Sequence, residues 1–205
     1  MVRCVIVGGA DISNYERVTA GLHDDDFLIY CDSGLKHLPM LKKAPSLIIG
    51  DFDSHENPKL PVETIVLPCV KDDTDTMYAL KEAVKRGFEE FLLIGVIGQR
   101  FDHSLGNIAA LNMLDSLGLR GMIIDDYSEM QIVSDRAEVD SRFSYFSLLN
   151  VTGEAKGIDI VNAKYEISDA EIGCCDPYGI SNEPLPGKTA VITVRTGRLL
   201  LIKVY

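Results

Sequence analysis

The chain has 205 residues, 46% of them hydrophobic and 25% charged, enough to bury a core as one large domain or two modest ones. Its 20 Lys and Arg against 31 Asp and Glu leave a formal charge of −11, which repels phosphate backbones and argues against nucleic acid as a partner. No run approaches the ~18 apolar residues that a membrane-spanning helix needs.

The five cysteines, Cys4, Cys31, Cys69, Cys174 and Cys175, are odd in number and hold no Cys-x-x-Cys spacing, so they predict free thiols and a reducing, cytoplasmic setting. The apolar part of the N-terminal stretch is too short for a signal peptide. An acidic chain acting on a phosphate-bearing substrate would need divalent cations to mediate the contact.

Residues 2–7 read as a buried parallel strand, and Gly8-Gly9 forms a tight turn after it without a full Gly-x-Gly-x-x-Gly fingerprint. Residues 14–22 have helical spacing with Ser13 available as cap. A second strand over 27–31 ends in Asp32-Ser33-Gly34, and 35–41 predicts a short helix that Pro45 keeps from extending. Residues 47–50 form a third strand that empties into Asp51-Phe52-Asp53-Ser54. A fourth, 64–67, leads into Lys71-Asp72-Asp73-Thr74-Asp75.

Residues 74–86 place Met77, Leu80 and Val84 on one helical face, with Gly87 as the stop and Asp75 in the first turn. A fifth strand, 91–94, ends in Gly95-Val96-Ile97-Gly98-Gln99-Arg100-Phe101-Asp102-His103. A helix over 104–117 and a sixth strand over 121–124 follow. Strand and helix alternating in this way predict an α/β domain, residues 1–126, with a mostly parallel, Rossmann-like sheet flanked by helices.

From residue 127 the pattern changes. Strand-like segments at 130–133, 145–149, 158–161, 190–195 and 199–204 are separated by turn residues, and Thr196-Gly197 predicts a hairpin turn. This part, 127–205, reads as a small antiparallel β-sandwich domain.

Acidic residues follow three successive strands of the first domain: Asp51 and Asp53, then Asp72, Asp73 and Asp75, then Asp102. In a parallel sheet such loops share the carboxyl edge, where open α/β folds bind ligands. Crowded carboxylates are unfavourable unless a cation lies among them, and Mg²⁺ prefers one or two carboxylates together with substrate phosphates. Asp51, Asp53 and Asp75 are therefore the candidate metal ligands, and the planar fork of Arg100 suits a phosphoryl group. Asp11, the run 24–26, Asp125 and Asp126 read as ordinary surface acids, and His23, His37 and His55 carry no functional signal. His103 reads either as a helix cap or as a substrate contact.

The ordered motifs Gly50-Asp51-Phe52-Asp53-Ser54, Lys71-Asp72-Asp73-Thr74-Asp75 and Gly98-Gln99-Arg100-Phe101-Asp102-His103 resemble those of thiamine pyrophosphokinases. Cys31-Asp32-Ser33-Gly34 resembles that family's Ala-Asp-Gly-Gly turn, with Ser33 at a usual glycine. Ile180-Ser181-Asn182-Glu183 resembles the Ser-Asn-Glu segment of its β domain, and Gln99 replaces a glycine often found before the arginine.

The resemblance implies a homodimeric transferase that moves pyrophosphate from ATP to thiamine with Mg²⁺. It implies metal ligation by Asp51, Asp53 and Asp75. ATP and Mg²⁺ contacts would come from Asp32, Ser33, Gly34, Ser54, Thr74, Arg100 and His103. Asp72, Asp102 and Arg100 would carry the chemistry, and Gln99, Asp102, Tyr178, Ser181 and Asn182 would meet thiamine. Two other readings stay open from the residues: a pyrophosphokinase for another hydroxymethyl acceptor such as a pterin, and a non-catalytic nucleotide or metal sensor.

Overall fold

The computed structural model describes residues 2–53, 57–70, 72–176 and 178–205; Ser54, His55 and Lys71 of the sequence reading lie outside them. The chain divides into two compact units, Met1–Asp126 and Tyr127–Tyr205.

In the first unit six strands form a wholly parallel sheet: β1 (Cys4–Val7), β2 (Phe27–Cys31), β3 (Leu47–Gly50), β4 (Glu63–Val66), β5 (Glu90–Ile94) and β6 (Arg120–Ile124). Their spatial order is β6-β5-β1-β2-β3-β4. β1 pairs with β2 on one side (Val7 opposite Tyr30) and with β5 on the other (Val7 opposite Ile94). The chain thus winds outward from β1 in one direction and then in the other, which opens a crevice beyond the carboxyl ends of β1 and β5.

The strands of this sheet centre are short unbroken apolar runs, buried on both faces because helices cover both. Val5, Val7, Leu28, Tyr30, Ile48, Leu92 and Ile94 pack with Val18 of α1 (Tyr15–Ala20) and Leu41 of α2 (Leu38–Leu41). Their neighbours in the strands turn to the opposite face. There α3 (Asp75–Lys85) lies over β1, β2 and β3, while α4 (Phe101–Ser116) lies against β6 and α3. Gly121 of β6 leaves room for this contact, since a Cβ there would meet Leu114 Cδ1 at 2.6 Å. Burial pushes the Cys4 thiol up to about 12, so it stays a neutral core group.

The second unit holds two four-stranded antiparallel sheets. One has the order β12-β9-β14-β7, from β7 (Ser128–Val133), β9 (Tyr145–Leu149), β12 (Gly179–Asn182) and β14 (Leu199–Val204). The other has the order β11-β10-β13-β8, from β8 (Arg136–Val139), β10 (Glu154–Val161), β11 (Ile167–Gly173) and β13 (Ala190–Thr196). Phe146, Leu148, Leu199 and Leu201 of the first sheet meet Val139, Ile158, Ile172 and Ile192 of the second in one core. Glu129 is buried beside this core with its charge matched. It accepts from Lys203 Nζ at 2.6 Å, Arg142 at 3.0 Å and Tyr205 Oη at 2.7 Å. Among the described residues no helix is long and apolar enough to cross a membrane.

Several elements differ from the sequence expectation. Asn14, not Ser13, caps α1 by accepting from the Arg17 amide at 3.0 Å; the Ser13 amide is taken by Asp126 at 2.9 Å. The helix expected over 35–41 is a 3-10 helix, Asp32–His37, running into α2, and it stops at left-handed Lys42 before Pro45 is reached. The buried face of α3 is Ala79, Leu80 and Ala83, with Met77 and Val84 only half-buried at its flanks. Helix α4 begins at Phe101, so Asp102 and His103 belong to its first turn.

Asp26 is not a solvated loop residue: it is buried and grips the Arg3 guanidinium at 2.7 and 3.0 Å. Thr196-Gly197 does not close a hairpin. Both edges of β13 are occupied by β10 and β8, so β14 crosses to the other sheet and pairs with β7 and β9.

Phe146 is fully buried in the shared core of the second unit. Phe146→Ala is expected to cost about 3–5 kcal/mol in urea unfolding, the usual penalty for an aromatic deleted from a packed core.

Candidate metal and nucleotide site

The pairing of β2 with β3 sets Cys31 opposite Ile49, so the residues that follow, Asp32 and Gly50, arrive side by side at the carboxyl edge. Gly50 is needed there: a Cβ on it would lie 2.7 Å from Asp32 Cβ and 3.0 Å from its Cα. The absent side chain lets Asp51, next in sequence, come close to Asp32.

Asp75 reaches the same place from α3. Thr74 caps that helix, its Oγ1 accepting from the Met77 amide at 3.2 Å, and Asp75 is the first helical residue. A carboxylate in a first turn is also favoured by the helix dipole.

Asp32, Asp51 and Asp75 each bring one carboxylate oxygen within 4.8 Å of the other two, with Asp32 buried and the others half-buried. An octahedral Mg²⁺ at 2.0–2.1 Å from its ligands holds neighbouring oxygens about 2.9 Å apart and opposite ones about 4.2 Å apart. The donor set is all oxygen and all anionic, and it lies within a 4.8 Å spread. These residues fit a hard divalent cation.

The other predicted residues fall in distinct places. Asp53 is exposed and outside this group; left-handed Phe52 (φ 57°) turns the chain before it, and its amide makes a long 3.4 Å contact to Asp51 Oδ1. Ser33 and Gly34 follow Asp32 directly, and Gly34 packs against the β1 backbone, where a Cβ would meet Val7 O at 2.2 Å. Asp72 is exposed, while Asp73 pairs with Lys81 at 2.7 Å.

Gln99 and His103 are exposed, and Arg100 holds Asp102 with two bonds of 3.0 and 2.7 Å. That guanidinium holds the Asp102 carboxyl far below the usual carboxylate range, against a small opposing effect of burial. In the second unit Tyr178 and Ser181 are exposed, and Ser181 adopts φ 60° with its amide donating to Ser147 Oγ at 3.1 Å. Asn182 is buried and its amide serves the backbone, accepting from the Tyr165 and Glu183 amides and donating to Tyr165 O at 2.8 Å.

Three further residues shape this edge. Ser104 and Asn107, buried on α4, hold the loop after β5. The Gly98 amide donates to Ser104 Oγ at 3.0 Å, and Asn107 donates to Val96 O at 2.8 Å. Buried polar residues on a helix's inner face were the available signal. His37 is 1% exposed; its Nε2 donates to Ala10 O at 2.8 Å and its Nδ1 accepts from Tyr15 Oη at 2.7 Å. Its place in a short helical stretch gave the sequence no such hint.

The "Thiamin pyrophosphokinase, catalytic domain" family matches residues 20–120, and "Thiamin pyrophosphokinase, vitamin B1 binding domain" matches residues 129–199. The chain belongs to the thiamin pyrophosphokinase family. Thiamine pyrophosphokinase of Bacillus subtilis (strain 168) is 25% identical over 207 residues, spanning 97% of this chain and 96% of that protein. Among solved structures, thiamine pyrophosphokinase from Bacillus subtilis superposes with a TM-score of 0.87 at 22% identity, covering 100% of this chain and 99% of that one. The yeast enzyme gives 0.77 at 15% identity, covering 100% and 86%. The fold is therefore that of these structures, a large parallel sheet with helices joined to antiparallel β structure.

Burial lowers the pKa of His37, and nearby Lys36 adds to this, while the Ala10 hydrogen bond and Asp11 oppose it. The unfolded chain then binds the proton more readily, so stability rises with pH. The contribution is complete above the unfolded value of about 6.5 and is lost as pH falls through the lower folded value. Urea unfolding at pH 7.5 and 5.5 is expected to show a smaller acid loss in His37→Gln than in wild type.

Proposed function

We propose that this protein transfers the pyrophosphoryl group of ATP to the hydroxyethyl oxygen of thiamine, giving thiamine diphosphate and AMP. One observation carries the reading: a buried-edge group of three carboxylates, Asp32, Asp51 and Asp75, in a chain that matches both parts of the family.

In this reading residues 1–126 bind ATP and Mg²⁺, and residues 127–205 supply thiamine contacts, an arrangement supported by the extents of the two family matches. The second unit is then a β-sandwich, supported by its two sheets sharing one core. Asp32, Asp51 and Asp75 hold the cation, with Asp53 steadying Asp51 through its amide. A bound dication supplies neutralisation of the triphosphate charge.

The thiamine hydroxyl oxygen forms a bond to the β-phosphorus as the bond from that phosphorus to the α–β bridging oxygen breaks, and AMP leaves with the electron pair. In-line placement of the three groups supplies most of the acceleration. Arg100 takes a phosphoryl oxygen by exchanging its exposed partner Asp102, since ion pairs in water are weak and yield readily. Asp102, released as Arg100 turns to the phosphoryl oxygen, and the exposed Asp72 are the two carboxylates available to take the hydroxyl proton.

Ser33, Gly34, Thr74 and His103 complete the nucleotide side. Gln99, Tyr178 and Ser181 meet thiamine, while Asn182, committed to the Tyr165 and Glu183 backbone, shapes the Ser181 turn. Excess negative charge suits the thiazolium cation. Two copies pair in this reading, supported by exposed Phe101 and Leu105 one turn apart on α4.

The test is thiamine-dependent release of AMP from ATP and Mg²⁺. Turnover with a pterin alone would change the acceptor, and ATP binding without AMP under either acceptor would make the protein a sensor. Asp75→Asn is expected to keep the fold by circular dichroism and to lower Mg²⁺-dependent kcat at least about 100-fold. Titrating Mg²⁺ separates the ligands: Asp32→Asn is expected to raise the half-saturating concentration more than about tenfold, and Asp53→Asn much less.

A further inference from the structure

Residues 8–10, the turn after β1, stand between the two halves of the proposed site. On one side they meet the turn that carries Asp32: a Cβ on Gly9 would lie 1.8 Å from Ser33 Oγ, so Ser33 fills the space that Gly9 leaves. On the other side they meet the loop after β5. The Gly8 amide donates to Ile94 O at 2.9 Å and the Ala10 amide to Gly95 O at 2.8 Å. A Cβ on Gly98 would lie 2.9 Å from Ala10 Cβ, and one on Gly95 would lie 2.7 Å from Gly8 O. Gln99, Arg100 and Asp102 follow at once. A shift of Ala10 is transmitted to that loop through these backbone hydrogen bonds and close contacts.

His37 is what fixes Ala10. A carbonyl only accepts, so Nε2 carries the proton toward Ala10 O, which leaves Nδ1 to accept the Tyr15 hydroxyl. The neutral ring satisfies both bonds at once, and it is held almost completely out of water. The charged neighbours are Asp11 and Lys36, which pair with each other at 2.6 Å at the far side of the same turn. Ser104 and Asn107 secure the β5 loop from α4, so the loop is clamped between α4 and the Ala10 turn.

We propose that His37 is a positioning residue for the transfer reaction. Through the Ala10 carbonyl it sets the distance between the Asp32, Asp51 and Asp75 group and the Gln99–Arg100–Asp102 segment. The proposal rests on the function given above and extends it to a residue that touches neither nucleotide nor acceptor. His37 then acts on the transition-state geometry more than on ATP binding, because the metal-holding side stays in place when the β5 loop drifts. Small misplacements of that kind cost up to about a hundredfold in rate.

The ring's two bonds can be separated by substitution. In His37→Gln the terminal amide nitrogen can take the place of Nε2 and donate to Ala10 O; in His37→Asn the shorter amide reaches toward Tyr15 and leaves Ala10 without its donor. Two readouts on the full chain test the idea. The first is kcat and KM for ATP in thiamine-dependent AMP release, well below each variant's unfolding temperature. The second is amide hydrogen exchange at Ala10 and across residues 95–100.

His37→Asn is expected to lower kcat about 10- to 100-fold with KM for ATP changed less than about threefold, and to speed exchange at these amides. His37→Gln is expected to stay within about threefold of wild type in both readouts. Equal kcat losses in the two variants, tracking only their lost stability, would overturn the positioning role, as would unchanged exchange at residues 95–100 in His37→Asn. If His37→Asn does not fold, Tyr15→Phe replaces it: it frees the ring to turn and is expected to speed exchange at Ala10, and unchanged exchange there counts against the proposal. Absence of AMP release in wild type would sink the functional reading alone, and the exchange comparison would still decide whether His37 places the loop.

Discussion

Three carboxylates drawn within 4.8 Å of one another are the constraint around which the first unit is arranged. Like charges at that spacing repel strongly wherever water is scarce, and Asp32 is almost completely buried. Such a group persists only if the backbone carrying it is held by something stronger. Here that is a parallel sheet with helices on both faces, whose central strands have no exposed side. The core holds the strands in place, and the strands deliver the charges.

Two other buried acids serve the fold. Asp26 is enclosed with the Arg3 guanidinium, and Glu129 with Lys203, Arg142 and Tyr205. Buried acids that serve the fold are matched by cations, as desolvation requires. Glycine recurs at the edge that carries Asp32: Gly9, Gly34, Gly50 and Gly98 each stand where a Cβ would strike a neighbouring chain. The loops are closely packed at these glycines, which lets one buried imidazole influence a loop several residues away.

Much of this was legible in the sequence. The unbroken apolar runs that form β2 and β3 gave their bounds directly, because each is short and ends abruptly in Gly, Asp and Ser residues that favour turns. Helix ends were less legible. Asn14 rather than Ser13 is the cap, and Asp126, far away in sequence, accepts from the amides of both and so fixes where the helix begins. The turn at Thr196-Gly197 looked local and was not, since the partners of β13 and β14 are chosen by the two sheets rather than by the turn.

The acidic motif following β3 shows where the division lies. The sequence by itself determined that carboxylates follow successive strands, and hence that they gather at one edge, because parallel strands all end on the same side. It could not rank Asp53 against Asp32. Both follow strands, and the nearer spacing of Asp51 and Asp53 made them look like the pair. Only the tertiary structure decided it, by setting β2 beside β3 so that Asp32 meets Gly50, while left-handed Phe52 turns the chain before Asp53. Adjacency between strands is a property of the whole sheet, and no local pattern in the chain encodes it.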